Sequence, residues 1–274
     1  MGLFIPPETP SVKFRLQSPW LRRLKPSKLE AVHARDSDAL GRCIEELEEH
    51  GFDLSAQGDP RRLPADLQQA IQSVFPGWGG GAPASQRVLL TGNTRRLWPL
   101  LQRAAPNLPA TDPLDAYTER VHRAAVERWL PGAKLWFAHQ LTPALPFPRL
   151  GEALGLCHVG PAHLAVHPTH GPWFGLRALV SFPQGNNLRE PEAPSSARGS
   201  HLPPSPCSKC PAPCVPLFQQ ALAESRGEPT GRDLVARHFD AWLAVRDACP
   251  VGRESRYSEE QIRFHYGVAS LPHV

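Results

Sequence analysis

Leu164-Ala-Val-His167-Pro-Thr-His170-Gly171-Pro-Trp173-Phe174-Gly-Leu-Arg177-Ala-Leu-Val-Ser-Phe182 is the stretch on which the fold turns. It reads as two strands, Leu164 to His167 and Trp173 to Phe182, rich in the aliphatic and aromatic residues that suit a pleated surface. The longer run is apolar without alternation, which means burial on both faces and helices packed on each side of a sheet. One charge, Arg177, stands inside that run.

Working outward, Lys134 to His139 reads as another strand, and a short helix is expected over 149–156. A longer helix runs from Asp112-Pro113 to Trp129, with Pro113 in its first turn, Val121 and Ala125 inside, and Pro131-Gly132 stopping it. Arg87-Val-Leu-Leu-Thr91 is a buried strand, after which Gly92-Asn93-Thr94 opens a helix carrying Leu97, Leu100 and Leu101. Residues 54–86 are turn-rich, and the glycine run within Pro76 to Pro83 reads as a loop, because it precedes the strand and so sits on the wrong side to cradle a phosphate. Ser37 or Asp38 is expected to cap a helix through Glu49, with Leu40, Ile44 and Leu47 at helical spacing and Gly51 past its end. Residues 1–36 form a Pro-rich arm and 183–206 a polar excursion. A last helix over 233–246, with Leu234, Trp242 and Val245 near helical register, leaves Cys249 at its end. The expectation is an α+β fold, a mixed sheet flanked by helices, in one domain over 37–274 that includes a Cys-rich loop insertion in segment 203–250.

The chain has 274 residues and is 41% hydrophobic, enough for one large core. Its 32 prolines and 21 glycines require short elements and stiff connections, which argues against a helical bundle. A formal charge of +4 from 30 basic and 26 acidic side chains is mild, and the arginines are scattered, so nucleic-acid binding has little support. No stretch reaches the length of a bilayer span and the start lacks a basic segment before an apolar one. The expectation is a cytoplasmic protein without a membrane partner, whose cysteines are kept reduced.

Cys207-Ser-Lys-Cys210-Pro-Ala-Pro-Cys214, answered 35 residues later by Cys249-Pro250, places four of the six cysteines where thiolates can converge on one metal or cluster. Three readings stay open: a 4Fe–4S cluster, favoured by the Cys-Pro ending; a zinc ion, which accepts the same four sulfurs; and reduced thiols in a Pro-rich loop. No Gly-x-Ser-x-Gly elbow is present, so nucleophilic hydrolysis is set aside.

Leu154-Gly-Leu-Cys-His158-Val-Gly160 together with the opening stretch resembles the CblC-type (MMACHC) cobalamin processing family, and also epoxyqueuosine reductases. The first resemblance continues, in order, through Val88-Leu-Leu-Thr-Gly92, Leu97-Trp-Pro-Leu-Leu101, Thr111-Asp-Pro-Leu-Asp115, Cys214-Val-Pro216, Val245-Arg-Asp-Ala248 and Arg256-Tyr-Ser-Glu-Glu-Gln261. It implies a nitroreductase-like domain that binds cobalamin base-off and removes its upper axial ligand, by reductive decyanation or by attack of glutathione's thiolate on an alkyl carbon. Arg177 and Arg246 fall at motif positions where that family holds glutathione's carboxylates, and they are the candidate catalytic residues. The four-cysteine set resembles the electron-transfer side of epoxyqueuosine reductases and reductive dehalogenases, implying an electron-donor flavoprotein or ferredoxin as partner. The alternatives are reduction of an organic substrate with cobalamin as cofactor, and a non-catalytic cobalamin carrier with a zinc site. A flavin also suits the implied architecture.

Arg177 offers a planar fork for a carboxylate or phosphate, or else a buried ion pair. For Arg246, position near a helix C-terminus is reason enough for a cation. His158, Gly160, His167, Trp173 and Phe174 are the candidate cobalamin contacts. The histidines suit hydrogen-bonding or packing roles better than cobalt ligation, and core packing claims at least one of the two aromatic residues because adjacent strand residues face opposite ways.

Overall fold

A computed structural model of the chain describes residues 28–76, 86–183, 202–228 and 232–272, with the backbone alone described over 28–38 and at 232. The glycine run, the polar excursion and most of the N-terminal arm therefore lie largely outside the described residues.

Four strands form the main sheet: β1 (Leu54–Gly58), β2 (Gln86–Asn93), β3 (Lys134–Phe137) and β6 (Gly175–Pro183), in the order β1-β2-β6-β3. β2 and β6 lie at the centre, paired from Gln86↔Pro183 to Asn93↔Gly175 with an irregularity between Thr91 and Gly92. The α+β class holds, but the sheet is antiparallel at every pairing, so the expected mixed sheet is corrected. Burial on both faces arises here because helices cover both sides. Leu89 and Val180 pack against α1 (Lys28–Glu49), α3 (Leu97–Ala104) and α4 (Pro113–Trp129). Val88, Leu90 and Leu179 pack against α2 (Ala65–Val74) and α5 (Phe147–Ala153). Successive residues of one strand thus enter opposite cores.

Several boundaries shift. α1 begins at Lys28, so Ser37 and Asp38 fall inside the helix and not at its start. The turn-rich 54–86 contains β1 and α2. β2 continues through Asn93, and the helix after it starts only at Leu97. Leu164 to His167 contributes Ala165–Val166, here β5, which pairs with β4 (His158–Val159) in a separate two-stranded sheet.

The C-terminal third supplies α6 (Cys214–Glu224), α7 (Arg232–Arg237), α8 (Phe239–Asp247) and α9 (Glu259–His265). Trp173 anchors one small core here with Tyr257, Ile262 and Tyr266. A second joins α6 to α8 through Ala162, Ala221 and Val245. The Cys-rich segment is therefore partly helical, since Cys214 is the first residue of α6. Pro216, at its third position, is tolerated because a first-turn N–H has no intrahelical acceptor. No described helix is long and apolar enough to cross a membrane.

Candidate functional site

Cys207, Cys210, Cys214 and Cys249 all line one cavity of about 70 Å³. Three elements bring them there: the turn over 206–209, the start of α6, and the segment after α8, where Cys249 N donates to Arg246 O at 3.1 Å. The rest of the lining is Gly160, Pro161, Ala162, Leu164, Val166, Ala212, Val215 and Pro250, so sulfur is the sole metal-ligating side-chain chemistry in the cavity. Burial raises the thiol pKa of Cys207 and of Cys249, and the neighbouring cysteines add to both. All six cysteines are free thiols. Among the described residues no three Cys, His, Asp or Glu side chains are drawn tightly enough together to hold an ion; the four thiols share a cavity without closing on one point.

Arg177 Nε donates to Asn93 Oδ1 at 2.6 Å, and Asn93 Nδ2 donates to Thr94 O at 2.9 Å, which fixes the amide with its oxygen toward the guanidinium. Burial draws the Arg177 pKa below the ordinary value, with Tyr257 and Asp115 opposing and Arg246 reinforcing. Arg246 donates to Pro172 O and lies over the Trp173 ring at 4.7 Å and the Tyr257 ring at 5.6 Å. Neither arginine has a carboxylate ion-pair partner among the described residues, so the buried-ion-pair role is not filled. Tyr257 is 3% exposed and its hydroxyl has no hydrogen-bond partner among the described residues. Burial raises its pKa while Arg246 and Arg177 pull the other way. The three groups form a positively charged, hydrogen-bond-donating cluster where β6, α8 and the segment leading into α9 meet.

Above this cluster a pocket of about 390 Å³ opens between α6, α7, α8 and α9, lined among others by Phe218, Val235, Trp242, Arg246 and Tyr266. The residues expected to hold cobalamin are dispersed. Gly160 borders the cysteine cavity, where an added Cβ would stand 3.1 Å from Cys207 Sγ. His158 Nε2 binds Pro203 O at 2.8 Å and ties β4 to the cysteine segment. His167 Nδ1 accepts from Thr169 N at 3.1 Å and His170 N at 3.2 Å, organising its own turn. Burial, with His170 beside it, lowers its pKa to about 4, so the ring is neutral. Trp173 is 1% exposed, with Arg246 and Arg256 over its ring, and Phe174 belongs to the α2/α5 core. None of His158, His167, Trp173 and Phe174 lines either cavity.

The chain superposes on a C. elegans B12-trafficking protein, CblC, described as a human MMACHC homologue, with a TM-score of 0.54 at 16% identity, over 86% of this chain and 92% of that one. The fold is nitroreductase-like. No family model matches the sequence, and no curated protein matches it significantly. The resemblance to CblC-type proteins thus stands at the level of fold, and that to epoxyqueuosine reductases draws no support from this likeness.

Sequence reasoning missed Asn93, Tyr257, Trp242, Phe218 and Tyr266. A signal existed for two. Asn93 is a polar residue closing an apolar strand, and Tyr257 sits in the Arg-Tyr-Ser-Glu-Glu-Gln landmark. The other three are aromatic residues at helical spacing or just past a helix, and only packing separates a pocket wall from a core.

Proposed function

We propose that this chain binds cobalamin as its substrate and removes the upper axial ligand, and that Cys207, Cys210, Cys214 and Cys249 would hold a metal centre able to supply the electrons. The observation that carries the reading is the position of an all-sulfur cavity beside an arginine-lined pocket, in a fold shared with a B12-trafficking protein. The donor set fits an iron–sulfur cluster: four thiols, an apolar shell, and no competing imidazole or carboxylate. Bound there, a cluster supplies one-electron transfer. The apolar shell excludes water and sets the local dielectric that tunes such a site.

For a cyano ligand the balance is one electron into cob(III)alamin, giving cob(II)alamin and free cyanide. Displacement of the lower axial base assists, because fewer donors at cobalt stabilise its reduced state. For an alkyl ligand, a thiolate attacks the carbon bound to cobalt, a carbon–sulfur bond forms, and the electron pair of the cobalt–carbon bond stays on cobalt as cob(I)alamin. Arg177, Arg246 and the Tyr257 hydroxyl suit the carboxylates of such a thiol, glutathione among them. A guanidinium binds a carboxylate bidentately, and an anion compensates positive charge that no described carboxylate ion-pairs.

Anaerobic purification followed by metal and sulfide analysis, visible spectroscopy and titration with hydroxocobalamin tests the reading. Iron with labile sulfide, a brown colour bleached by dithionite and a base-off cobalamin spectrum are the expected results. Zinc would transfer the cysteines to a structural role. A protein that leaves the absorbance of hydroxocobalamin and cyanocobalamin unchanged, with or without reductant, would falsify corrinoid processing.

A further inference from the structure

The cysteine cavity and the arginine-lined pocket share a wall. Ala162 and Leu164 line both spaces. Along α6, Cys214 faces the cavity and Phe218, four residues on, faces the pocket. Across α8, Val245 and Arg246 face the pocket and Cys249, four residues past Val245, faces the cavity. Four residues of α6 advance about 6 Å, so the spaces are separated there by roughly one layer of side chains. That layer is the small core of Ala162, Ala221 and Val245 with Leu164, Val215, Phe218 and Trp242 against it. It is apolar and packed, which bars water and ions while keeping the electron path short.

The pocket's own chemistry specifies its occupant. Phe218, Trp242 and Tyr266 give an aromatic lining suited to a flat conjugated body. The buried Trp242 Nε1–H has no acceptor among the described residues, an unmet donor that a ligand carbonyl or amide oxygen would satisfy. Arg246, also in the lining, adds a cation that no described carboxylate neutralises.

We infer that this pocket is the terminal acceptor site: it takes part of a conjugated, one-electron-reducible molecule bearing an anionic group, and the Ala162–Val245–Phe218 layer passes the electron to it from the cysteine cavity. This rests on the reading above, in which the molecule is the corrinoid, with amide oxygens and a phosphate. About 390 Å³ holds a portion of so large a ligand. The electron enters from a reduced flavoprotein or ferredoxin, or from dithionite in the assay, and leaves on cobalt, with no bond formed in the protein.

The test uses the full chain, purified anaerobically, with hydroxocobalamin as probe. Val235 lines the pocket from α7 and is not among the residues lining the cysteine cavity. Val235→Trp is expected to weaken hydroxocobalamin binding about tenfold or more by filling the pocket, with metal content unchanged. Independently of any pocket variant, the paramagnetic signal of bound cob(II)alamin should relax faster in the reduced wild-type protein than in Cys249→Ser depleted of its metal. Wild-type affinity in a folded Val235→Trp, or identical relaxation in the two proteins, overturns the inference alone. Failure of the wild-type protein to bind the corrinoid overturns the functional reading and this inference together.

Discussion

Gly171 and Gly252 press two loops together backbone to backbone. Both have positive φ, +57° and +66°, and a Cβ on Gly171 would collide with Val251 O while one on Gly252 would collide with His170. One loop carries His167 and His170; the other follows directly on Cys249. Gly252→Ala is expected to cost about 3 kcal/mol, from left-handed strain and the clash combined. It should lower the melting temperature by several degrees and reduce metal retention, and unchanged values for both would show the contact to be slack. Arg177 yields a second prediction at this scale. Arg177→Ala removes a charge-assisted bond and leaves Asn93 Oδ1 without its donor, so thiol-dependent dealkylation should fall about 10- to 100-fold. Corrinoid affinity, measured by titration, should fall less. Equal losses would make the arginine architectural.

The elements divide by how local their signals are. α4 is found at Pro113–Trp129, one residue from expectation, because Pro at its start, helical spacing within and Pro131-Gly132 after it all act over a few residues. β1 was hidden because Leu54-Ser-Ala-Gln-Gly58 has no β-branched or aromatic residue and is a strand only through pairing with β2. α6 was obscured by Pro211, Pro213 and Pro216, and its helix survives because Pro216 lies within the first turn. α9 was missed although Ser258 caps it, the Oγ accepting from Gln261 N at 3.2 Å. Because α9 carries Ile262 into the core around Trp173, Ser258→Ala should cost about 1 kcal/mol in urea denaturation. A midpoint identical to wild type would mean that packing alone holds the helix.

At the scale of the whole molecule, two neutral imidazoles, one buried and one half-buried, contribute to the acid side of stability. His122 is fully buried, its Nδ1 donating to Thr118 O at 2.8 Å and Thr91 Oγ1 lying 2.8 Å from Nε2, and burial lowers its pKa to about 4. His167 is also lowered to about 4. Both groups titrate in the unfolded chain near an ordinary histidine value of about 6.5, so between there and pH 4 the unfolded state binds more protons and stability rises with pH. The contribution is complete above about pH 6.5 and is lost as the pH falls toward 4, at up to about 1.4 kcal/mol per pH unit for His122 and less for the half-buried His167, which water screens. Thermal melts at pH 7, 5.5 and 4.5 should show this decline, shallower in His122→Asn; a flat profile would place the two rings in wetter surroundings than the structure does.

The amino-acid sequence by itself determined the α+β class, the two central strands, the longest fully described helix and the four cysteines with ligand spacing, since each depends on residues close together in the chain. The tertiary structure alone decided that the sheet is antiparallel throughout, that Trp173 and Phe174 are core residues, and that Gly160 borders the sulfur cavity. It also decided that Tyr257 joins Arg177 and Arg246. Most of these bring together residues from different elements, such as Arg177 with Asn93, 84 positions away. Nothing in local spacing encodes which side of a strand faces a pocket and which a core, because both require the same apolar residues; only packing in three dimensions distinguishes them.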